Sequence, residues 1–349
     1  MFSVDPNGPA APPPRRPPVW VGAAVATGVV LLVLIGVWVY SAGSDPSGTG
    51  RAVGPSTTAT TTTIEGRSLP TAPPATTGRP AGDGSGAVFT TCRDIAQKFP
   101  LGPRTCTIVS PSGLSGTERL PVVVLLHGAN TTPADVIATG GWAAAVSRDR
   151  FIVAAPQGLF SSWNAGDCCL LAHSAQIDDA GFVDQVIGQL VARPDVDPAR
   201  VYLVGESNGG MMVYRSLCTT EHPIAGAASV EGTSVSNCPP RAPVPLLHVH
   251  GRDDVTIPYR GGPSAVPLVV GANFVPVEQS LAQFASGEGC AEPPAQSTTG
   301  SATIRVWSGC RGGVEVRLAS VAGVGHSWPR SPAYDTTAEI LRFFGLAHA

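Results

Sequence analysis

The chain has little charge. Charged residues make up 13% of its 349 residues, the formal net charge is -3, and Lys98 is the only lysine. The arginines are scattered along the chain and form no long basic run. A nucleic-acid-binding surface needs a dense basic patch that neutralises phosphates. The composition therefore predicts a protein without a nucleic-acid partner.

The chain also lacks the Cys-x-x-Cys pairs and neighbouring histidines of a zinc site, although it has eight cysteines. An even number of cysteines without metal-ligand spacing favours disulfides, which need an oxidising compartment. We therefore expect no metal site. Cys92 with Cys106 and Cys290 with Cys310 are the expected pairs, because each pair brackets a short segment that can return as a strand. The connectivity of the other cysteines stays open: Cys168, Cys169, Cys218 and Cys238.

A long uncharged run lies near the start of the chain, at 20–40. At about 1.5 Å per residue it is long enough to cross the ~30 Å core of a bilayer. Arg15 and Arg16 come just before it and should stay cytoplasmic. The sequence predicts a cytoplasmic proline-rich tail over 1–18 and a transmembrane signal anchor over 19–40, with the remainder outside the cytoplasm. The alternative is a cleaved signal peptide and secretion.

The chain changes composition twice after this run. Residues 41–87 consist mostly of Gly, Pro, Ser, Thr and Ala and are predicted to be a disordered linker. From residue 88, short apolar runs alternate with helical patterns, which predicts one α/β domain over 88–349, with a mostly parallel sheet and helices on both faces. Strands are expected at 105–109, 121–126, 151–155, 201–205, 224–230, 246–250, 303–307 and 314–320, and helices at 182–192, 209–218, 277–285 and 335–344.

The pattern Gly205-Glu206-Ser207-Asn208-Gly209 lies between a predicted strand and a predicted helix. Such a turn is a nucleophile elbow, in which small flanking residues let the serine Oγ rise above the sheet. Chance can nearly supply a Gly-x-Ser-x-Gly match in a chain so rich in glycine, so the setting carries the inference. It predicts Ser207 as a nucleophile.

A serine nucleophile needs a histidine base and an acid that orients the histidine. His326 lies in a loop between the last predicted strand and the last predicted helix, from which it can reach the elbow. Asp254 follows the predicted strand at 246–250, at the sheet edge where the acid belongs. Asp253 and Glu231 are the alternatives for the acid. The other histidines are expected to be structural (His127, His248, His250), exposed (His222, His348) or unassigned (His173).

The oxyanion of an acyl-transfer intermediate needs two backbone N–H donors. Asn208, after the nucleophile, and Ala129, after an early strand, are the predicted donors; an ordinary turn is the alternative at 127–130. Trp163 and Trp328 flank the expected mouth of the site and are possible substrate-lining residues, with buried packing as the alternative. Asp178 and Asp179 precede a helix and are expected to cap it.

Several ordered motifs together resemble the polyhydroxybutyrate depolymerase-like and feruloyl esterase-like family of secreted carbohydrate esterases. These motifs are Leu126-His127-Gly128, Trp163-Asn164-Ala165-Gly166 with Cys168-Cys169, Asp178 to Val183, the elbow with Gly210-Met211-Met212, His250-Gly251 through Asp254 to Tyr259, and Gly325-His326-Ser327-Trp328-Pro329. The resemblance implies an α/β-hydrolase fold, ester hydrolysis without a cofactor through an acyl-enzyme, and Asp254 rather than Asp253 as the acid. Two departures are Glu206 beside the nucleophile and Leu170 in place of a glycine after the cysteine pair.

We therefore predict an extracytoplasmic serine esterase that acts on a sugar, polymer or lipid ester. The alternatives are an acyltransferase of the cell envelope on the same fold and a non-catalytic envelope binding module. The complete order of serine, aspartate and histidine argues against the last. The sequence leaves the oligomeric state open.

Overall fold

The computed structural model describes residues 86–92, 104–115, 117–168, 170–235, 238–266 and 272–348. All of them belong to the second of the two compact units of the chain, Ala75–Ala349. The predicted tail at 1–18, the predicted span at 19–40 and nearly all of the predicted linker at 41–87 lie outside the described residues. Among the residues that are described, none of the helices has the length and apolar character needed to cross a bilayer.

A mixed sheet of ten strands organises the described domain, in the order β1-β2-β4-β3-β5-β6-β7-β12-β11-β10. From β4 to β12 every neighbouring pair is parallel, whereas the two strands at each edge pair in antiparallel fashion. The prediction of a mostly parallel sheet is confirmed. The strands are β1 Ala87–Thr91, β2 Cys106–Pro111, β3 Leu120–Leu126, β4 Ile152–Pro156, β5 Val196–Glu206, β6 Gly226–Val230, β7 Leu246–Gly251, β8 Gly262–Pro263, β9 Asn273–Phe274, β10 Ala295–Thr299, β11 Ala302–Trp307, β12 Val316–Val321, β13 Arg330–Ser331 and β14 Tyr334–Asp335.

Two hydrophobic cores lie on opposite faces of the sheet. Successive side chains of a strand point to opposite faces, and along β3 Val122 and Val124 belong to one core whereas Val123 and Leu125 belong to the other. Helices α4, α5 and α6 pack in the first core, and α1, α2 and α7 pack in the second. The helices are α1 Pro133–Gly140, α2 Trp142–Asp149, α3 Leu170–Ser174, α4 Asp179–Val191, α5 Asn208–Thr219, α6 Val277–Gly287 and α7 Thr336–Phe343.

Every predicted strand and helix is present, with its ends shifted by a few residues. The prediction missed β1, which begins at Ala87 inside the expected linker, and β10, whose residues are all exposed. An exposed edge strand has no apolar alternation to reveal it. The prediction also missed α1, although Thr132 and Asp135 form a capping box at its start. It missed the short elements α2, α3, β8, β9, β13 and β14 as well.

Disulfides join strands and loops within the described residues. The predicted pairs Cys92–Cys106 and Cys290–Cys310 are confirmed. Cys218 pairs with Cys238, which the spacing alone had left open, and Cys168 is disulfide-bonded as well. The described part of the chain contains no free cysteine.

The parallel strands bring the predicted site residues to one edge of the sheet. Ser207 directly follows β5, Glu231 directly follows β6, and Asp254 comes soon after β7. Ala129 lies just beyond β3, and His326 lies in the loop after β12. Because the carboxyl ends of parallel strands meet at the same edge, residues far apart in sequence become neighbours there.

Candidate active site

Ser207 has a strained backbone. Its φ is 53° and its ψ is -118°, a combination that residues with a side chain rarely adopt. The turn is held from one side because the Ser207 N–H donates to the carbonyl of Val230 at 2.7 Å. The strain lifts the side chain off the end of β5 and leaves it half-buried at the sheet edge.

The glycines of the elbow leave no room for a side chain. A Cβ on Gly205 would lie 2.2 Å from the carbonyl oxygen of Gly209, and a Cβ on Gly209 would lie 2.3 Å from the carbonyl oxygen of Leu126. Neighbouring backbone, which cannot move aside cheaply, causes both clashes. The steric reason for the Gly-x-Ser-x-Gly spacing is therefore present in this fold.

The structure brings Ser207, His326 and Asp254 together. His326 Nε2 is 2.8 Å from Ser207 Oγ, and His326 Nδ1 is 2.7 Å from Asp254 Oδ2. In this geometry Nδ1–H donates to the carboxylate, and Nε2 is free to accept the serine proton. Asp253, the neighbouring alternative, is exposed.

Asp254 is buried, and both of its carboxylate oxygens accept hydrogen bonds. Its Oδ1 accepts from the N–H groups of Thr256 at 2.7 Å and Ile257 at 2.9 Å. Its Oδ2 faces a second imidazole, since His250 Nε2 is 3.2 Å away. Burial by itself raises the pKa of Asp254, but the imidazoles of His250 and His326 beside Oδ2 outweigh it and hold the pKa below its ordinary value. The carboxylate is therefore ionised at neutral pH.

A buried chain of hydrogen bonds leads from Asp254 into the core. The Tyr214 hydroxyl is 2.8 Å from His248 Nδ1, His248 Nε2 is 3.0 Å from His250 Nδ1, and His250 Nε2 is 2.9 Å from the carbonyl oxygen of Ile257. Burial lowers the pKa of His248 well below its ordinary value. Every contact is satisfied if both rings are neutral and each donates from Nε2. His248 and His250 are structural, as predicted, and their alternation on one face of β7 was the sequence signal for the chain.

The predicted oxyanion donors are available. Asn208 is the first residue of α5, where an N–H has no intrahelical acceptor, and within the described residues neither its N–H nor that of Ala129 has a hydrogen-bond acceptor. The turn that carries Ala129 lies beside the nucleophile, since a Cβ on Gly128 would be 3.5 Å from Ser207 Cβ. This arrangement can bind an anionic oxygen next to Ser207.

His127 holds this turn in place. Its Nδ1–H donates to the carbonyl of Gly128 at 2.7 Å, and its Nε2 accepts from the Gly158 N–H at 2.9 Å. Burial lowers the pKa of His127 to about 4. The ring is therefore neutral at neutral pH and structural, as predicted.

The prediction that Trp163 and Trp328 line the substrate site is wrong. Trp163 is 0% exposed and Trp328 is 5% exposed, so neither ring is available for stacking on a substrate. Trp163 Nε1–H donates to the carbonyl of His127 at 2.8 Å, and Trp328 Nε1–H donates to Thr337 Oγ1 at 3.1 Å. Each indole packs in the core and satisfies its one donor there, which is the alternative that the sequence left open.

The side chain of Asn208 has a function that the sequence did not reveal. Its Oδ1 accepts from the Trp163 N–H at 2.6 Å, and its Nδ2 donates to the Trp163 carbonyl at 3.0 Å. These paired bonds fasten the loop after β4 to the residue that follows the nucleophile. They also orient the start of α5, and with it the free N–H of Asn208.

The capping prediction holds for Asp178 and needs correction for Asp179. The carboxylate of Asp178 accepts from the Gly181 N–H at 2.9 Å. The carboxylate of Asp179 lies in the first helical turn but pairs with buried Arg104 at 2.7 Å and accepts from the Asn164 N–H at 2.7 Å. Asp179 therefore anchors the loop at 163–166, a role that requires a partner far away in the sequence.

Glu231, the remaining alternative for the acid, does not contact His326. It is 0% exposed, and its Oε1 accepts from the Gly251 N–H at 2.8 Å. Glu231, His250 and Asp254 each have a possible metal-ligand atom within 4.8 Å of the other two. Among the described residues, they are the candidate group for a metal site. His250 Nε2–H is bonded to Ile257, however, and Asp254 is bonded to His326, so hydrogen bonds already occupy this group.

Residues 114–280 match the family described as Phospholipase/Carboxylesterase. Feruloyl esterase B of Piromyces equi is 30% identical over 64% of this chain and 42% of its own length. Poly(3-hydroxyalkanoate) depolymerase C of Paucimonas lemoignei is 27% identical over 64% of this chain and 58% of its own length. The chain thus spans less than two thirds of either relative.

Among solved structures, an acetyl xylan esterase from Aspergillus awamori superposes with a TM-score of 0.50 at 16% identity, over 70% of this chain and 94% of that one. This likeness shows the α/β-hydrolase fold, which confirms the predicted fold class. The sequence relatives confirm the resemblance to the feruloyl esterase-like and depolymerase-like family.

Proposed function

Starting from a chain that is a relative of a feruloyl esterase and of a polyhydroxyalkanoate depolymerase, we propose that it is a serine esterase that hydrolyses carboxylic esters through an acyl-enzyme. The observation that carries this proposal is the hydrogen-bonded line from Ser207 through His326 to Asp254, with contacts of 2.8 and 2.7 Å. Nucleophile, base and orienting acid are in contact in the order that acyl transfer needs.

In the proposed reaction, His326 Nε2 takes the proton of Ser207 as Oγ attacks the ester carbonyl. The negative oxygen of the tetrahedral intermediate accepts hydrogen bonds from the N–H groups of Ala129 and Asn208. The imidazolium, stabilised by Asp254, then protonates the departing alcohol. Water then attacks the acyl-enzyme with His326 again as base; Ser207 Oγ leaves, takes the proton back from His326, and the carboxylic acid is released. Each step uses side chains and backbone groups of this chain.

The proposed substrates are feruloyl or acetyl esters of sugars, or polyhydroxyalkanoate-like esters. The names of the relatives support this range. An ester library analysed by mass spectrometry separates these substrates.

We also propose that the domain works outside the cytoplasm, tethered by the uncharged run at 19–40. The disulfides support an oxidising compartment, and the arginine pair before the run supports the orientation. Membrane fractionation, with alkylation of free thiols, tests both parts. Recovery of the chain from the soluble cytoplasm with reduced cysteines would contradict this location.

Replacement of the nucleophile tests the proposed chemistry. We expect Ser207→Ala to lower kcat/KM for short p-nitrophenyl esters by at least about three orders of magnitude, because no other group of the site can form the acyl-enzyme. The measurement is steady-state hydrolysis by the purified full chain, with the melting temperature as a check of folding. Ser286→Ala, at an exposed position of α6, is the control and should keep wild-type activity. Substantial hydrolysis by folded Ser207→Ala would overturn the assignment.

A further inference from the structure

Carboxyl groups crowd the sheet edge beside the nucleophile. Glu206, Glu231 and Asp254 follow or end the adjacent strands β5, β6 and β7. Glu231 is the deepest of them, at 0% exposure, and its φ of 52° is rare for a residue with a side chain. The proposed reaction uses Asp254 and has no role for Glu231. A buried carboxyl in strained backbone therefore needs a separate explanation.

The two oxygens of Glu231 have different surroundings. Oε1 accepts from the Gly251 N–H at 2.8 Å. Oε2 is buried, and no donor among the described residues makes a hydrogen bond to it. His250 Nε2 is 3.4 Å from Oε2, but its hydrogen is directed to the closer carbonyl of Ile257 at 2.9 Å. As an ionised acceptor, Oε2 would be left without a partner in the core.

Asp254 has one acceptor position left to offer. An ionised carboxylate has about four lone-pair sites. Two backbone N–H groups use those of Oδ1, and His326 Nδ1–H uses one of Oδ2. His250 Nε2 is 3.2 Å from Oδ2, but its one hydrogen is directed to the closer carbonyl of Ile257 at 2.9 Å. A carboxylate oxygen of Glu231 lies within 4.8 Å of an oxygen of Asp254, and a side-chain hydrogen bond between the two carboxyl groups contributes to the raised pKa of Glu231. A proton on Glu231 Oε2 would therefore satisfy the orphaned atom and the remaining lone pair together.

We propose that Glu231 is a neutral carboxylic acid at neutral pH, that its Oε2–H donates to Asp254, and that it is a positioning residue for the acid of the proposed triad. The role in catalysis rests on the proposed esterase function; the protonation state does not. The donated hydrogen bond keeps Asp254 in the plane of His326, and the imidazolium faces one negative charge rather than two.

The electrostatics of the site agree with this assignment. Burial first, and then the charge of Asp254, raises the pKa of Glu231 well above its ordinary value; Glu206 acts in the same direction, and the Gly251 N–H opposes them. The pKa of Asp254 is shifted down instead. Two neighbouring carboxyl groups with pKa values pushed apart divide into one ionised acid and one neutral acid.

The pH dependence of stability tests the protonation state without any activity measurement. A glutamate that stays neutral in the fold but ionises in the unfolded chain, above a pKa of about 4.3, makes the wild type lose stability as the pH rises. Glu231→Gln has a neutral side chain of the same shape and removes this loss. We expect its melting temperature to gain on the wild type steadily from about pH 5 to about pH 8. A difference in melting temperature that stays constant from about pH 5 to about pH 8, or that turns against the variant, would show that Glu231 is ionised in the fold and would overturn the proposal.

Kinetics test the positioning role. We expect Glu231→Gln to keep kcat within about threefold of wild type with an unchanged pH profile, because the amide can still donate to Asp254. Glu231→Ala should lower kcat about tenfold or more with little change in KM, since the bound substrate does not touch Glu231. Glu288→Gln is the matched control, because it replaces a buried glutamate beside Arg311, after α6. It should leave kcat and the pH profile unchanged.

Two kinetic results would overturn the positioning role. One is a Glu231→Gln variant as inactive as Asp254→Asn, which would mean that the site needs the Glu231 charge. The other is a folded Glu231→Ala variant with wild-type kcat and pH profile. If Glu231→Ala does not fold, the Glu231→Gln measurements still decide. If the wild type hydrolyses no ester, the proposed function fails while the melting-temperature series still tests the protonation state.

Discussion

His127 is buried beside the nucleophile, and both of its ring nitrogens are hydrogen-bonded to backbone. The fold keeps the ring neutral because a proton on Nε2 would break the bond from the Gly158 N–H and place a charge in the core. Residues such as this one prepare a site without contacting the reacting atoms. They also connect the stability of the protein to pH.

We expect His127 to cost the protein stability as the pH falls. Its pKa is about 4 in the fold and about 6.5 in the unfolded chain. Between these values the unfolded state binds more protons, so the free energy of unfolding falls from about pH 6.5 down to about pH 4, by up to roughly 3 kcal/mol, and then levels off. Urea unfolding of His127→Gln and wild type across this range measures the effect.

The free energy of unfolding of His127→Gln should depend less steeply on pH than that of the wild type, since the variant lacks the contribution of the His127 imidazole. His348→Gln changes an exposed histidine near the chain end and is the control. Equal slopes for His127→Gln and wild type would contradict a neutral buried imidazole at this position.

Single residues also mark the limit of sequence reasoning. Trp163 has the same motif context whether it lines a substrate or fills a core, and only its 0% exposure separates the two. Asp179 similarly looks like a capping residue until Arg104 is brought to within 2.7 Å of it. In both cases the deciding partner lies in another part of the chain.

The packing of α5 against the ends of two strands determines the shape of the elbow. The elbow works only because α5 packs closely against the ends of β3 and β5, which is why Gly205 and Gly209 meet backbone rather than open space. The apolar runs predicted these strands, and the glycine spacing predicted the turn between β5 and α5. The order of strands in the sheet came from the structure.

Two glycine substitutions in helices should have opposite effects. In Gly209→Ala the new Cβ would lie 2.3 Å from the Leu126 carbonyl oxygen, so we expect a loss of about 2 kcal/mol or more and a lower activity. In Gly287→Ala, in the last turn of α6, no atom lies within 4 Å of the new Cβ, so we expect a gain of up to about 1 kcal/mol. Urea unfolding measures both. A Gly209→Ala variant as stable as wild type would remove the steric explanation for the motif.

At the scale of the whole described domain, disulfides close the two edges of the sheet. Cys290 follows α6 and pairs with Cys310 beyond β11, which closes the antiparallel end of the sheet. Cys92 and Cys106 close the opposite edge between β1 and β2. The parallel strands that carry the site lie between these two stapled ends.

Removal of one of these disulfides should therefore lower the free energy of unfolding of the whole domain. The bond between Cys290 and Cys310 has a sequence separation of 20, for which the loss of unfolded-state restriction is roughly 3 kcal/mol. We expect the double variant Cys290→Ser/Cys310→Ser to lose about 2–4 kcal/mol in urea unfolding under oxidising conditions. Reduced wild type should be less stable still. Equal stability of the variant and the oxidised wild type would contradict a stabilising role for this bond.

The sequence by itself determined the fold class, the nucleophile elbow, the candidate base and the two outer disulfides that we expected. These features follow from local patterns: apolar runs of strand length, small residues around a serine, and cysteines that bracket short segments. Only the tertiary structure separated Asp254 from Glu231, buried both tryptophans, and paired Asp179 with Arg104. Each of those outcomes depends on distances between residues on different strands, and the order and register of the sheet set those distances.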